Sequence, residues 1–383
     1  MRIKQVVMKK FPADLEQLQT LQAMEPQLLL VFAGPTHFST GQLAQELLQR
    51  FPAAQFVGCS TAGEISQQGV ENGSVVVTAL HFESAQFQVV STELAAMESS
   101  FQAGAALAQQ LAGWEPKAVL VLGQGLNING SALIDGMVSL LGPALPIVGG
   151  LAGDDAAFAK TFTLCNQGVS STRLLAVGLK GDSLQFAHGS FGGWKPFGPV
   201  RKVTRSVNNV LYELDGEPAL EVYKRYLGEH AKDLPGSGLL FPFEMLSGAR
   251  EPSGLIRTIL GVNEADGSMT LAGAISQDGY LRLMHAQTDG LVDGAEEAAR
   301  ATLKLMQQDG APGLALLVSC VGRKLVMGGR VDEETEIVHD TLGQQATLAG
   351  FYSYGEISPG YGILNCQLHN QTMTISYLGE SAA

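Results

Sequence analysis

Two carboxylates that recur in one local pattern are the side chains best placed for chemistry. Residues 57–66 read V-G-C-S-T-A-G-E-I-S and residues 349–358 read A-G-F-Y-S-Y-G-E-I-S, so Glu64 and Glu356 each follow a Gly-x-x-x-x-Gly spacing in the same register. A shorter version, G-L-A-G-D at 150–154, ends on Asp154. A strand ending in such a run turns sharply and exposes backbone N–H groups. It also presents small polar side chains, Ser60 and Thr61 in one copy, Ser353 and Tyr354 in the other. Amide-lined turns receive carboxylates, and a Glu receives an ammonium or hydroxyl group, so the set suits an amino-acid-like zwitterion. The competing reading is structural, each Glu capping its own turn or a neighbouring helix. Arg323, just after the apolar run LALLVSC (314–320), also has two readings. It grips a ligand carboxylate in bidentate fashion, or it pairs with Glu356 as part of the frame.

Other chemistries find less support. The histidines, His37, His81, His188, His230, His285, His339 and His369, show no H-x-E or H-E-x-x-H spacing, which argues against a structural zinc site. A b-type haem asks only for an axial His and an apolar pocket. His188, close to Phe191, Trp194 and Phe197, is the first candidate for the haem iron and His285 the second; a satisfied core histidine is the alternative. The run GQGLNINGS (123–131) follows a strand but matches neither G-x-G-x-x-G nor G-x-x-x-x-G-K-[ST]. Cys59-Ser60 stands at a strand-to-turn position without a G-x-S-x-G or an assignable His. A hydrolase, or a carboxylate-pair enzyme using Glu64 and Glu356, stays open as the alternative to a binding protein. Cys59, Cys165, Cys320 and Cys366 form no Cys-x-x-Cys pair, and each lies in or beside an apolar run. They read as buried small hydrophobes of a reducing compartment, against a reactive or metal-bound thiol.

Bulk properties narrow the classes. The chain has 383 residues, 45% hydrophobic and 16% charged, enough apolar material for two or three domains. The formal net charge of −13 and the lack of any long basic run argue against nucleic acid and against an anionic membrane surface. No apolar stretch reaches the roughly 18 residues that span a bilayer, and the N-terminus carries no signal-peptide core. A cytoplasmic location is expected.

The elements that must position these residues alternate. LLLVFAG (28–34) and QFVGCS (55–60) read as strands around a helical window from Thr40 to Arg50. SVVVTALHF (74–82) and AQFQVVSTEL (85–94) alternate with period two and suggest a hairpin. Helices near 101–112 and 131–141 alternate with KAVLVLG (117–123) and PIVGG (146–150), and three strands follow near 161–166, 172–180 and 184–190. The second half repeats the order: strands near 269–275 and 280–287, a helix from Leu291 to Gln307, LALLVSC, a helical stretch to Leu342, ATLAGFY (346–352), and strands near 361–367 and 371–378. The fold class that follows is α/β, two related lobes with mixed parallel and antiparallel sheets flanked by helices, built by internal duplication of segments 74–180 and 269–378. Between them, 188–260 holds HGSFGGWKPFGPV, the β-like RKVTRSVNNVLYEL and the helix PALEVYKRYL (218–227).

G-C-S-T-A-G-E-I, G-L-A-G-D-D and G-F-Y-S-Y-G-E-I, with the central H-G-S-F-G-G-W-K-P-F-G-P and L-D-G-E-P-A-L, resemble the signature segments of the FIST family. That family comprises bacterial sensory proteins with N- and C-terminal FIST domains, and the resemblance runs over about residues 25–380. It implies a FIST N-terminal domain at 25–192, a connecting segment at 193–260 and a FIST C-terminal domain at 261–380. It also implies small-ligand sensing without catalytic turnover, coupled to a histidine kinase or to a diguanylate cyclase or phosphodiesterase. No such output domain is joined to this chain, so action in trans is expected. Standalone members resemble the NosP-type nitric-oxide-sensing haem proteins. For this chain that implies haem b on His188, with nitric oxide weakening the Fe–His bond.

Overall fold

The computed structural model describes residues 1–306, 312–360 and 365–381. The chain is α/β, with mixed sheets flanked by helices. Its strands make three six-stranded sheets and one nine-stranded sheet. The smaller sheets follow a common plan. The first runs Arg2–Met8, Val75–His81, Leu28–Ala33, Gln55–Ser60; the second Gln86–Glu93, Arg173–Lys180, Ala118–Gly123, Ile147–Leu151; the third Leu184–Phe191, Met373–Glu380, Gly313–Cys320, Ala346–Ser353. In each, the last two strands are parallel and the other neighbours antiparallel. A parallel pair needs a crossover. Helices Gln42–Arg50 and Gly130–Leu141 supply it in the first two sheets, Val321–Met327 and Asp332–Leu342 in the third.

Two more strands complete each of these sheets, and they come from another repeat. The hairpin Glu64–Ser66/Gly69–Glu71 extends the third sheet, Thr163–Cys165/Gly168–Ser170 the first, and Gly355–Pro359/Cys366–His369 the second. The exchange closes a cycle, so the internal repetition expected from sequence is present and runs to a third copy. The N-terminal strand Arg2–Met8 belongs to the first copy and carried no sequence expectation.

Several pairings differ from the sequence reading. Val75–His81 and Gln86–Glu93 do not form a hairpin; the first pairs with Arg2–Met8 and Leu28–Ala33, the second with Arg173–Lys180. Val75–His81 is buried on both faces and Gln86–Glu93 only in part, and packing in different sheets separates them. Likewise Ser268–Leu271 and Tyr280–His285 lie in the nine-stranded sheet, not in a repeat, so the repeating part of the second half begins with Leu184–Phe191 and resumes at the helix Thr288–Leu305. The two closing strands are Cys366–His369 and Met373–Glu380. Gln307 and residues 361–364 of the expected elements lie outside the described residues.

The three small sheets turn one face inward. Leu30, Phe32 and Cys59, Leu120, Leu122 and Val177, and Leu316, Val318 and Phe351 meet in one core, with Phe32 stacked on Phe351 at 4.7 Å between centroids. Complete burial of each such aliphatic or aromatic side chain contributes roughly 1.5–3 kcal/mol over leaving it exposed. The outer faces take the helices, through Leu43 and Leu47, Leu107, Leu133 and Met137, and Ala295, Ala298 and Val338. One glycine per repeat allows the parallel pair to close tightly. A Cβ on Gly58, Gly149 or Gly350 would lie 2.0, 2.0 or 1.8 Å from the carbonyl oxygen of Val31, Val121 or Leu317.

The nine-stranded sheet fills the connection between Leu184–Phe191 and Thr288–Leu305. It is antiparallel, and it buries Val203, Leu214 and Leu281 against Leu220, Tyr223 and Leu227 of the helix Ala219–Leu227. Its edge strand Pro252–Arg257 runs beside Cys366–His369, the edge of the second six-stranded sheet.

Candidate functional site

The cyclic exchange brings the three Gly…Gly-acid segments together at the C-terminal ends of the parallel strands. Ala62 N–H donates to Tyr352 O (2.8 Å), Gly153 N–H to Ser60 O (2.9 Å), and Tyr354 N–H to Leu151 O (3.1 Å). These are equivalent positions of the repeat, so each turn is stitched to the strand end of another copy.

Glu64 and Glu356 hold equivalent places and make equivalent bonds. Glu64 accepts from the Thr61 hydroxyl with one oxygen and from Ser74 N–H (2.8 Å) and Oγ (2.9 Å) with the other. Glu356 accepts from Ser353 Oγ (2.8 Å), and from Thr372 N–H (3.1 Å) and Oγ1 (3.0 Å). Both are buried, and burial pushes both carboxyls up, Glu356 to about 8. Each clamps the end of a parallel strand to the entry of the repeat's last strand, which is the structural alternative weighed from the sequence. Ser74 and Thr372, which complete the clamps, carried no sequence signal.

The rest of the expected set is also bonded within the protein. Ser60 Oγ donates to Gly153 O (2.7 Å) and accepts from Phe162 N–H (2.9 Å). Asp154 accepts from the Tyr354 hydroxyl and from the N–H groups of Phe158 (2.9 Å), Ala159 (2.7 Å) and Lys160 (2.7 Å), ordering the loop after the second turn. The Tyr354 ring stacks on Phe158. Arg323 pairs with Glu334, not with Glu356: its Nε and Nη2 donate to one Glu334 oxygen at 3.0 and 2.7 Å. The other Glu334 oxygen accepts from Ser319 Oγ (2.9 Å) and Tyr352 Oη (2.5 Å). Both members of the pair are fully buried. Arg323 also donates to Gly192 O and to Leu291 O (2.8 Å), pinning the segment that leads into the nine-stranded sheet. Cys59 lies in the core, where burial raises its thiol far above the ordinary range.

The haem candidate separates from its expected neighbours. His188 lines a cavity of about 170 Å³ with Gly189, Ser190, Ala301, Leu305 and Pro359. Phe191 and Trp194 face a different cavity, while Phe197 packs on Phe241 and on His285. Ligand pockets for drug-sized molecules run at roughly 300–1,000 Å³, and haem is large among them. Among the described residues the lining of this small space holds no aromatic side chain besides His188, and a space of that size does not fit a haem. Among the described residues no group of three or more His, Cys, Asp or Glu side chains could hold a metal ion.

A cavity of about 430 Å³ lies between the nine-stranded sheet and the third repeat. Phe191 at the end of its strand, Gly193 and Trp194 of the connecting segment, Ile256 and Met284 of the large sheet, His369 of the exchanged hairpin and Thr372 just before the last strand line it. The Trp194 indole N–H donates to Gln371 O (2.8 Å), which fixes the ring as one wall. His369 is buried beside it, with Nε2 3.0 Å from Ser358 O, and burial lowers it to about 4, so the imidazole is neutral. Glu244, also at the wall, is held by Arg282 at 2.6 Å. Of these residues, sequence reasoning singled out only the aromatics near His188.

The fold and this cavity define a repeat-built α/β protein with a space of ligand size between its two kinds of sheet. Residues 27–217 match the FIST N domain and residues 219–359 the FIST C domain, and the chain belongs to the FIST family, whose domains are small-ligand sensory modules of signalling proteins. An uncharacterized protein of Methanocaldococcus jannaschii is 28% identical over 201 residues, which make up 50% of this chain. The match spans 38% of that relative's length. A solved cyanuric acid hydrolase from A. caulinodans overlays with 8% identity and a TM-score of 0.41, over 100% of this chain and 99% of that one. No helix among the described residues is long and apolar enough to cross a membrane.

Proposed function

We propose that this FIST protein senses a small organic ligand in the cavity walled by Trp194, Met284 and His369, and that occupancy changes the surface read by a histidine kinase or a cyclic-dinucleotide enzyme acting as a separate partner. One observation carries the reading. The cavity of about 430 Å³ is built from both the large sheet and the exchanged hairpin, so whatever fills it contacts elements of two different sheets at once. A ligand that binds one relative placement of those parts better than another shifts the population toward it. The walls suit a compact molecule with one flat or apolar face for Trp194, Ile256 and Met284. Its hydrogen-bonding groups meet neutral His369, Thr372 and Gln367.

The chain has two tryptophans, Trp114 and Trp194. In a Trp114→Phe background, emission therefore reports this cavity alone. Metabolites that raise the melting temperature in a thermal screen are expected to shift Trp194 emission, and Ser253→Phe, which fills the cavity wall, is expected to abolish both effects. Hits that stabilise the protein, leave Trp194 emission unchanged and survive Ser253→Phe would place the sensing site elsewhere.

A further inference from the structure

A second cavity, about 240 Å³, lies across the strand Pro252–Arg257 from the first and shares Leu255 and Gln367 with it as wall. Its lining includes Ser131, Asp135, Met245, Arg257, Ile275 and Leu368. Arg257 is only 3% exposed, yet no carboxylate pairs with it among the described residues. Its bonds go to backbone carbonyls, Nε to Ala274 O (3.2 Å) and Nη1 to Ile256 O and Leu368 O (both 3.1 Å). Guanidinium has five N–H donors, and the two on Nη2 have no partner among the described residues. Burial without a counter-charge pulls this guanidinium down to about 10. Arg323, the other buried arginine, has its glutamate, so the missing partner is particular to Arg257.

Beside it, Ser131 Oγ is buried and has no hydrogen-bond partner among the described residues. The two side chains are close neighbours. A Cβ built on Gly273 would sit 2.8 Å from Arg257 Nε, 2.9 Å from its Cζ and 2.9 Å from Ser131 Oγ. A side chain at 273 would therefore crowd both the Arg257 guanidinium and the Ser131 hydroxyl, which glycine leaves side by side at the cavity. Ser131 is also in the first turn of the helix Gly130–Leu141, capped by Asn129, whose Oδ1 takes the Ala132 N–H at 3.1 Å. The helix start adds partial positive charge at the same place. A buried charge without a counter-charge is costly, and an anion arriving from the cavity removes that cost.

We infer that this cavity is a binding site for a small monocarboxylate, its oxygens received by Arg257 Nη2 and Ser131 Oγ and its short carbon chain by Ile134, Met245, Ile275 and Leu368. Asp135, exposed at the mouth, sets the charge limit, because a second negative group on the ligand would face it. The volume is below that of pockets for drug-sized molecules, which restricts the ligand to a few heavy atoms beyond the carboxylate. The site is independent of what fills the larger cavity.

The test uses the full chain in the Trp114→Phe background, with acetate, butyrate and benzoate as probes, butyramide as the uncharged control, and succinate and inorganic phosphate as dianion controls. Butyrate or benzoate is expected to raise the melting temperature with concentration, and butyramide, succinate and phosphate to do so far less. Gly273→Ala is expected to abolish the response by displacing Arg257 and Ser131, which its Cβ would meet at 2.8 and 2.9 Å. Ser131→Ala is expected to weaken it roughly ten- to a hundredfold, as for one lost hydrogen bond to a charged group, and it carries the test if the glycine variant does not fold. No rise with any monocarboxylate, an equal rise with butyramide, a larger one with phosphate, or an unaltered response in Ser131→Ala or Gly273→Ala overturns the inference. Trp194 emission separates this from the sensory reading, since binding at Arg257 leaves the indole's own cavity unoccupied.

Discussion

The Arg323–Glu334 pair ties the third repeat to the connecting segment, and its removal has a calculable cost. Both side chains are 0% exposed. Glu334 is the acceptor for Arg323, Ser319 and Tyr352, so Glu334→Gln keeps the shape but leaves a buried guanidinium facing an amide. Breaking a buried pair from one side costs about 3–5 kcal/mol, whereas replacing both members with apolar residues of similar volume is often neutral or better. At about 2–4 °C per kcal/mol for a cooperative unit of 150–250 residues, the single variant should melt roughly 6–20 °C lower. Differential scanning calorimetry of wild type, Glu334→Gln and Arg323→Met/Glu334→Leu checks this. The double variant should recover most of the lost stability but show altered Trp194 emission, because Gly192 O loses its Arg323 donor. A loss below about 1 kcal/mol in the single variant, or a double variant worse than the single, would refute the argument that desolvation dominates this pair.

Glu356 should impose a pH dependence. Its carboxyl is raised from 4.5 to about 8 by burial, so the folded state binds the proton more tightly. That contribution is fully present below the unfolded value of 4.5 and is lost as pH rises through about 8. Glu356→Gln should flatten the stability profile across that window in urea titrations at stepped pH; an unchanged profile would assign the slope to other groups. Gly350→Ala should destabilise by roughly 1–3 kcal/mol or more, as overpacking does, because its Cβ would meet Leu317 O at 1.8 Å. A stable, soluble alanine variant would show that the parallel pair can separate. Hemin added to the purified protein should give no Soret band that His188→Ala alters; a band lost in that variant would restore His188 as an axial ligand.

Much of the repeat was legible before any coordinates. Runs such as LLLVFAG and LALLVSC are too apolar for a surface, and the three Gly…Gly-acid segments mark the same point in each copy. The helices Ser100–Ala112 and Gly130–Leu141 follow from apolar spacing within a residue or so. The equivalence of Glu64 and Glu356 was readable too, because a shared local bond pattern leaves a shared local sequence.

Strand partners and the cavities were decided by the tertiary structure. Period-two alternation says which face of Val75–His81 is apolar, but every strand offers the same N–H and C=O ladder, so it does not say which neighbour is taken. The exchange of hairpins round the three sheets, and the pairing of Leu184–Phe191 with Met373–Glu380, rest on total burial across the chain. The same limit applies to charge. Glu334 sits in an acidic helix start, D-E-E-T-E, that reads as a solvated surface, and only packing turns it inward to Arg323. Arg257 looks like any polar residue at a strand end until the second repeat's helix and the third repeat's hairpin close over it. A sequence states what each segment can bury; which segments meet, and so which polar groups are left facing a cavity, is settled when all of them compete for the same core.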